Sequence, residues 1–152
     1  HQLDFGKVKL IFYESLKKKF SYDLNNNSLV FKIVYNKFSM LFPGDILNHR
    51  EKNLSNNSDI NLYAGILLSP HHGSLTSSTK IFLNKVLPGA VIISCGRHNR
   101  YGFPNDKVLK RYQKMDIQIF RTDRNGAIFI SSDGINHEIK PFFLGNYQKE
   151  TF

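Results

Sequence analysis

Apolar residues occur along this chain in short runs separated by turn residues, and the pattern predicts mainly strands. Runs of roughly four to eight residues that are rich in β-branched and aromatic side chains are typical of strands. A polar loop is predicted around Lys17-Lys18-Lys19. The runs predict strands at Val8–Tyr13, Ser28–Tyr35, Lys37–Phe42, Gly65–Leu68, Ala90–Ser94, Ile117–Phe120, Ala127–Ile130 and Glu138–Phe142.

Apolar positions spaced three and four apart predict helices between some of these strands. The first helix is predicted over Asn48–Leu54. The second is capped by Ser77 or Ser78 and ends at Pro88-Gly89, because hydroxyl side chains favour helix starts and this pair of residues ends helices. The third is opened by Pro104, which a helix tolerates in its first turn.

Turn residues predict how the strands are connected. Only Asn36 separates the second predicted strand from the third, so these two form a hairpin. Asn125-Gly126 and Asp133-Gly134 are strong hairpin signals, and they predict a meander of the last three strands. A hairpin, two β-α units and a meander, in that order, predict an α/β fold with a mixed sheet and flanking helices.

Composition narrows the class of protein. The chain has 152 residues and 41% hydrophobic residues, which is enough for one domain with its own core. Its longest apolar runs are five or six residues, too short to cross a membrane, and its start lacks a signal-peptide pattern. The single Cys95 excludes an internal disulfide, and its place at the end of a predicted strand favours a buried thiol over a nucleophile.

The net charge of +9, from 21 basic and 12 acidic residues, favours polyanionic partners such as nucleic acid or an anionic membrane surface. A second explanation is an AT-rich genome, which enriches Lys and Asn in ordinary proteins. The Asn-rich stretches of this chain fit that explanation, so charge alone favours nucleic acid only modestly.

Candidate metal ligands follow two of the predicted strands. Asp45 comes directly after one strand, and His71 and His72 come after another, so α/β geometry places all three at one edge of the sheet. A carboxylate with neutral imidazoles is a ligand set suited to Zn²⁺, Mn²⁺ or Fe. The alternative is that these are ordinary loop residues.

A third loop, 94–104, reaches the same predicted edge and carries guanidinium and amide groups. Such donors beside a metal suit the non-bridging oxygens of a phosphodiester. Whether His98 in this loop has a functional role is left open. Asp123 is predicted to be a turn residue, and His49 and His137 are predicted to be solvated. The predicted substrate-binding residues are Ser74, Arg97, Asn99, Arg100 and Tyr101.

Five short motifs occur in order along the chain. They are Asn27-Ser28-Leu29-Val30, Phe42-Pro43-Gly44-Asp45 with Glu51 downstream, Pro70-His71-His72-Gly73-Ser74, Asn99-Arg100-Tyr101-Gly102, and Thr122-Asp123-Arg124-Asn125-Gly126-Ala127-Ile128. Together they resemble the C-terminal half of the metallo-β-lactamase-like domain of the ComEC competence family, the DNA-uptake channel proteins. The resemblance covers nearly the whole chain, from about Gly6 to Asp133.

This resemblance implies an αββα sandwich with a two-metal site, zinc or manganese, at the sheet edge, and an activity of metal-dependent DNA cleavage. Asp45 matches the carboxylate that bridges the metals, and His71 or His72, with a slight preference for His72, matches a histidine ligand. The implied parent is a bacterial membrane protein whose soluble, extracytoplasmic domain includes this chain. The implied partners are DNA, expected to be single-stranded, the other half of the domain and the membrane channel.

The chain departs from the family pattern in two ways. The His-x-His-x-Asp-His motif that supplies most metal ligands is absent from these residues, so we expect 1–152 to be one incomplete domain that binds metal weakly or not at all and is inactive by itself. Phe103 stands where the family usually has His, which puts catalysis in doubt. The alternatives are a metal-free module that binds single-stranded DNA through Tyr101, Phe103 and Tyr112, and a purely structural half-domain.

Overall fold

The computed structural model describes residues 1–13 and 24–142, and the predicted loop at Lys17-Lys18-Lys19 lies outside them. Short 3₁₀ turns cover Leu24–Asn27 and Pro70–Gly73. The α-helices are α1 (Asn48–Asn56), α2 (Lys80–Val86), α3 (Asp106–Gln113) and α4 (Thr122–Asn125). The strands are β1 (Gln2–Phe5), β2 (Val8–Tyr13), β3 (Val30–Tyr35), β4 (Phe38–Phe42), β5 (Ile66–Leu68), β6 (Ala90–Ile93), β7 (Gln118–Arg121), β8 (Ala127–Ser132) and β9 (His137–Phe142).

Strands β1 to β7 form one mixed sheet in which their order matches their order in the chain. The first four strands pair antiparallel, and β4 to β7 pair parallel. Strands β8 and β9 form a separate antiparallel pair. The predicted α/β class with a mixed sheet and flanking helices is therefore confirmed, and β1 is an additional edge strand.

The predicted meander of the last three strands is wrong. Asn125-Gly126 does not join β7 to β8 as a hairpin, because 122–125 form the single turn of α4. Gly126 then has a φ of +69°, and the chain leaves the main sheet there. The predicted turn at Asp133-Gly134 is confirmed, since it connects β8 to β9.

Two predicted helix starts are displaced. The cap of α2 is Thr79, whose side chain accepts a hydrogen bond from the Phe82 N–H, and not Ser77 or Ser78, whose hydroxyls bond to other segments. Helix α3 begins at Asp106 and is capped by Asn105, so Pro104 lies outside it.

The two faces of the sheet are covered differently. On one face, alternate strand residues such as Leu41, Leu67 and Val91 pack against α1, α2 and α3 in the main core. On the other face, Met40, Ile66 and Ile92 form a smaller cluster. The β8–β9 pair covers this second cluster with Ile128, Ile130 and Ile139.

The parallel strands determine where the polar loops meet. The carboxyl ends of neighbouring parallel strands lie at the same edge of a sheet. Strands β4, β5, β6 and β7 all end at this edge, so the loops that begin at residues 43, 69, 94 and 122 start beside one another.

Candidate functional site at the carboxyl edge of the parallel strands

A cavity of about 650 Å³ lies at this edge of the sheet. The structure brings Asp45, His71 and His72 together around it, although they come from two different loops. The third predicted loop also contributes to the wall. The lining residues are Asp45, His71, His72, Ser94, Cys95, Gly96, Asn99, Tyr101 and Phe103.

His72 connects the three loops of the site. Its Nδ1 lies 2.7 Å from the carbonyl oxygen of Ser94, and its Nε2 lies 3.5 Å from Oδ1 of Asp45. A carbonyl oxygen only accepts hydrogen bonds, so Nδ1 carries a proton, and this bond turns Nε2 toward Asp45. Both side chains are about half exposed, at 47% and 45%. The pair is thus an oriented imidazole beside a carboxylate, open to solvent.

His71 and His72 occupy a strained stretch of backbone. Their φ angles are +47° and +56°, in the left-handed region that non-glycine residues adopt at a cost. The His71 N–H donates to the carbonyl of Gly44, which ties this loop to the one that carries Asp45. The His71 ring lies edge-on to Phe103 at 5.5 Å, and its Nδ1 is buried without a hydrogen-bond partner. Strain and an orphaned nitrogen of this kind are typical of a functional site.

The predicted phosphate-binding residues are only partly gathered at the cavity. Asn99 lines it, but its amide nitrogen donates to the carbonyls of Gly96 and Phe103, and its oxygen accepts from the Phe103 N–H. Asn99 therefore holds its own loop in shape. Ser74 is buried beside Thr76, with 3.0 Å between their hydroxyl oxygens, and does not line the cavity.

Arg97 and Arg100 lie outside the cavity lining, on the exposed part of the same loop. The Nε of Arg97 donates to the carbonyl of Asp123 at 3.4 Å. Arg100 donates to the hydroxyl of Tyr101 at 2.8 Å, with its guanidinium carbon 4.9 Å from the centre of that ring. Neither side chain is therefore part of the cavity wall.

Two residues that follow β6 and β7, Cys95 and Asp123, contact each other beside the site, although neither was predicted to be a site residue. Cys95 is partly buried and lines the cavity, with its thiol 3.2 Å from Asp123 Oδ1. Burial, and then Asp123, raise the pKa of this thiol, so the expected unreactive thiol fits its surroundings. Asp123 lies in α4 and not in a hairpin turn, and Arg121 contacts both of its oxygens. Burial opposes its charge, but the Arg121 bonds outweigh this and hold the Asp123 pKa below its usual value.

Residues of α1 and α3 support the histidine loop, the segment 69–79 that carries His71 and His72. Glu51 is fully buried and accepts hydrogen bonds from the backbone N–H groups of Ser78 and Thr79. Burial raises the pKa of Glu51, against the lowering effect of these bonds and of Arg111. Arg111 donates to the carbonyls of Ser77 and Ser78. Glu51 is therefore a buried support of the loop and lies away from the cavity lining.

The remaining histidines lie elsewhere. His49, His98 and His137 are exposed, and none of them lines the cavity. Within 1–13 and 24–142, no three His, Cys, Asp or Glu side chains are grouped closely enough to hold a metal ion. Over the same residues, the structure has no helix with the length and apolarity needed to span a bilayer.

Fold and geometry together define an α/β protein with a polar site at the ends of its parallel strands, built around an oriented imidazole and a carboxylate. No protein family model matches the chain. The chain is 37% identical over 106 residues to "Competence protein ComA" of Neisseria gonorrhoeae, which covers 70% of the chain and 15% of that protein.

Two further relatives match a similar length of the chain. It is 38% identical over 104 residues to "ComE operon protein 3" of Bacillus subtilis, covering 68% of the chain and 13% of the relative. It is 33% identical over 107 residues to the uncharacterized protein YcaI of Escherichia coli, covering 70% and 14% respectively. The matched part of the chain thus spans 13% to 15% of the length of these curated relatives.

Proposed function

We propose that this chain is part of a metal-dependent hydrolase that cleaves DNA phosphodiester bonds during DNA uptake in natural competence. The observation that carries the proposal is the pairing of His72 Nε2 with Asp45 Oδ1, 3.5 Å apart at the cavity. The similarity to a protein named for competence supports the biological setting. The motif resemblance supports the substrate class and a metallo-β-lactamase-like domain.

The residues present fit a divalent ion such as zinc or manganese. Ligand atoms lie about 2.0–2.2 Å from zinc, so two atoms 3.5 Å apart are close enough to share one ion. Histidines that bind metals usually donate their other N–H to a carboxylate or carbonyl, as His72 does to Ser94. Asp45 and His72 would be the chain's ligands to the metal, with His71 as the alternative imidazole.

The remaining ligands are assigned to the N-terminal half of the domain, which supplies the His-rich motif in the family that the chain resembles. When bound, such ions activate a water molecule and neutralise the charge that develops on the phosphate. The chain's own contribution is to orient an imidazole through the Ser94 carbonyl and to place a carboxylate opposite it. Both tasks use groups that the loops have already fixed.

Arg97 and Arg100, which are exposed on the loop that follows β6, are assigned to the DNA phosphates, because guanidinium groups match phosphate oxygens in charge and geometry. Ser74 and Asn99 contribute by holding their own loops, since their side chains already have hydrogen-bond partners within those loops. The partners of the chain are then DNA, the other half of the domain and the membrane channel of the parent protein.

The proposal is tested by cleavage of labelled DNA by the intact parent protein in the presence of Mn²⁺ or Zn²⁺. We expect Asp45→Asn and His72→Ala each to reduce the cleavage rate by more than about 100-fold, because second-sphere changes at metal sites already cost 10- to 100-fold. His49→Ala, on the exposed face of α1 and away from the cavity, is the matched control and keeps the rate of the unaltered protein.

Unchanged cleavage by both site variants would overturn the assignment of the site. If the intact protein binds DNA but cleaves none under any metal condition, the metal-free binding module replaces the hydrolase. Circular dichroism of the same preparations separates a lost ligand from an unfolded protein, because a variant that has lost only a metal ligand keeps the spectrum of the control variant.

A further inference from the structure

One wall of the cavity is aromatic. Tyr101 and Phe103 stack with their ring centres 5.6 Å apart and their planes 21° apart. Phe103 in turn lies edge-on to the His71 ring at 5.5 Å. The rings of Tyr101 and Phe103 thus continue to the ring of His71, one of the two candidate histidines.

Tyr101 is presented to solvent and contributes little to the core. It is 63% exposed, and it is the one large, exposed, apolar side chain among the described residues that lines the cavity. The loop does not depend on the Tyr101 ring for its shape, because Asn99 bonds to the backbone of Gly96 and Phe103. A fixed loop that exposes a flat ring at a cavity mouth is suited to binding a ligand.

The surroundings of the ring indicate the chemistry of that ligand. The Arg100 guanidinium lies over the Tyr101 ring, with its carbon 4.9 Å from the ring centre, and it donates to the Tyr101 hydroxyl, so a cation contacts the aromatic surface. An aromatic ring flanked by arginine is the combination that binds single-stranded nucleic acid, in which bases stack on rings and phosphates meet cations. Bases in a duplex are already stacked on their neighbours and must be unstacked first.

We propose that Tyr101 and Phe103 form a stacking subsite for an unpaired nucleobase next to the Asp45–His72 pair, which makes single-stranded DNA the preferred substrate. This inference rests on the proposed function for the role of the neighbouring phosphate. Phe103, which replaces the histidine usual in the family that the sequence resembles, extends the apolar wall that supports the Tyr101 ring.

The test measures DNA binding by the intact protein in EDTA, so that cleavage plays no part. The probes are a labelled single strand of thymidines, the same strand with abasic spacers, and a duplex of equal length, all at about 150 mM salt to limit non-specific phosphate binding. The variants are Tyr101→Leu, which removes the ring, Tyr101→Phe, which keeps it, and Tyr63→Leu as an exposed control away from the cavity.

We expect Tyr101→Leu to weaken single-strand binding by about 5- to 150-fold, the range for loss of one stacked base. Tyr101→Phe keeps the ring, so we expect it to retain most of the single-strand affinity. The abasic strand binds the unaltered protein and Tyr101→Leu alike, because it has no base to stack. The slope of affinity against salt stays the same, since no phosphate contact is removed.

An equal loss on single-strand, abasic and duplex probes would overturn the subsite, and so would an unchanged affinity of Tyr101→Leu for the single strand. The outcome is independent of the hydrolase proposal, because Asp45→Asn is examined in the same metal-free assay. Both proposals are supported if Asp45→Asn fails to cleave DNA in the assay with metal but still binds the single strand in EDTA, while Tyr101→Leu weakens that binding. Ring-dependent binding by a protein that never cleaves supports the subsite alone.

Discussion

The hydroxyl of Tyr112 links α3 to the histidine loop, and its removal is a sharp test of how that loop is held. Tyr112 is fully buried. Its oxygen lies 2.9 Å from Ser69 Oγ and 2.6 Å from Ser78 Oγ, on the two sides of the segment that carries the histidines. Tyr112→Phe removes this oxygen and keeps the ring, so it perturbs the hydrogen bonds without opening a large cavity.

The expected magnitude follows from the two serines. Ser69 and Ser78 are buried at 5% and 0% exposure, so water does not readily replace the lost partner. A buried hydrogen bond contributes about 0.5–1.5 kcal/mol, and an unpaired buried group costs a similar amount or more. We therefore expect Tyr112→Phe to lower the free energy of unfolding by about 2 kcal/mol. Burial raises the pKa of Tyr112 to about 12, so the hydroxyl keeps its proton and the loss is the same from pH 6 to pH 9.

The assay is urea denaturation of this chain, compared at equal m-values so that only stability is being measured. Tyr63→Phe is the matched control, because Tyr63 is 55% exposed. We expect this control to change the free energy of unfolding by no more than about 0.5 kcal/mol. A double-mutant cycle of Tyr112→Phe with Ser69→Ala isolates one bond and is expected to show a coupling of about 1 kcal/mol. A loss below about 0.5 kcal/mol for Tyr112→Phe, or no coupling, would refute the reasoning.

Three further predictions concern the same supports, all measured as unfolding free energies. Gly73→Ala is expected to lower the unfolding free energy by more than about 2 kcal/mol, because φ is +79° and the new Cβ would lie 2.6 Å from Pro104 Cβ. The control Gly102→Ala places no atom within 4 Å of its Cβ, so it is expected to cost only about 1–2 kcal/mol, from its φ of +64°. Thr79→Ala removes the α2 cap and is expected to cost about 1 kcal/mol. Burial raises the pKa of Glu51, so its carboxyl group binds a proton more tightly in the folded protein than in the unfolded chain. The unfolding free energy is therefore expected to fall as pH rises above about 4.5, and Glu51→Gln is expected to flatten that fall.

Each of these predictions has its own contrary result. Equal losses for the two glycine variants would show that Pro104 gives way without cost. A loss below about 0.3 kcal/mol for Thr79→Ala would place the cap elsewhere. A stability profile that keeps its slope in Glu51→Gln would assign the pH dependence to other carboxyl groups.

Much of the fold was predictable because the strands that carry the site are short, apolar and bounded by turns. Strands β2 to β7 were all predicted, and their parallel order explains why Asp45 and the two histidines meet. Strand β1 was not predicted, because all four of its residues are exposed and it pairs only through its backbone with β2. The meander failed because Asn125-Gly126 has the composition of a hairpin turn, and composition does not show that the chain leaves the sheet there.

The details of the site were less predictable because backbone atoms do much of the positioning. The Ser94 carbonyl that orients His72 has no signature in the sequence, since any residue would supply it. Asn99 was predicted to bind substrate because its residue type suits phosphate, whereas its amide is occupied by the loop's own backbone. A sequence reports which side chains are available, and only the structure shows which of them are already engaged.

The end of β7 explains why a backbone carbonyl is sufficient to orient the site. Thr122 Oγ1 accepts a hydrogen bond from the N–H of Cys95 and donates one to the carbonyl of Cys95 at 2.8 Å. Both backbone polar groups of Cys95, the residue after Ser94, are therefore fixed. Asp123 contacts the Cys95 thiol and is itself held by Arg121. Because Ser94 lies between this anchored residue and the paired strand β6, its carbonyl has little freedom to turn, and His72 receives a fixed hydrogen-bond acceptor. Thr122, together with Asp123, which was predicted to be only a turn residue, thus supports the imidazole on which the proposed chemistry depends.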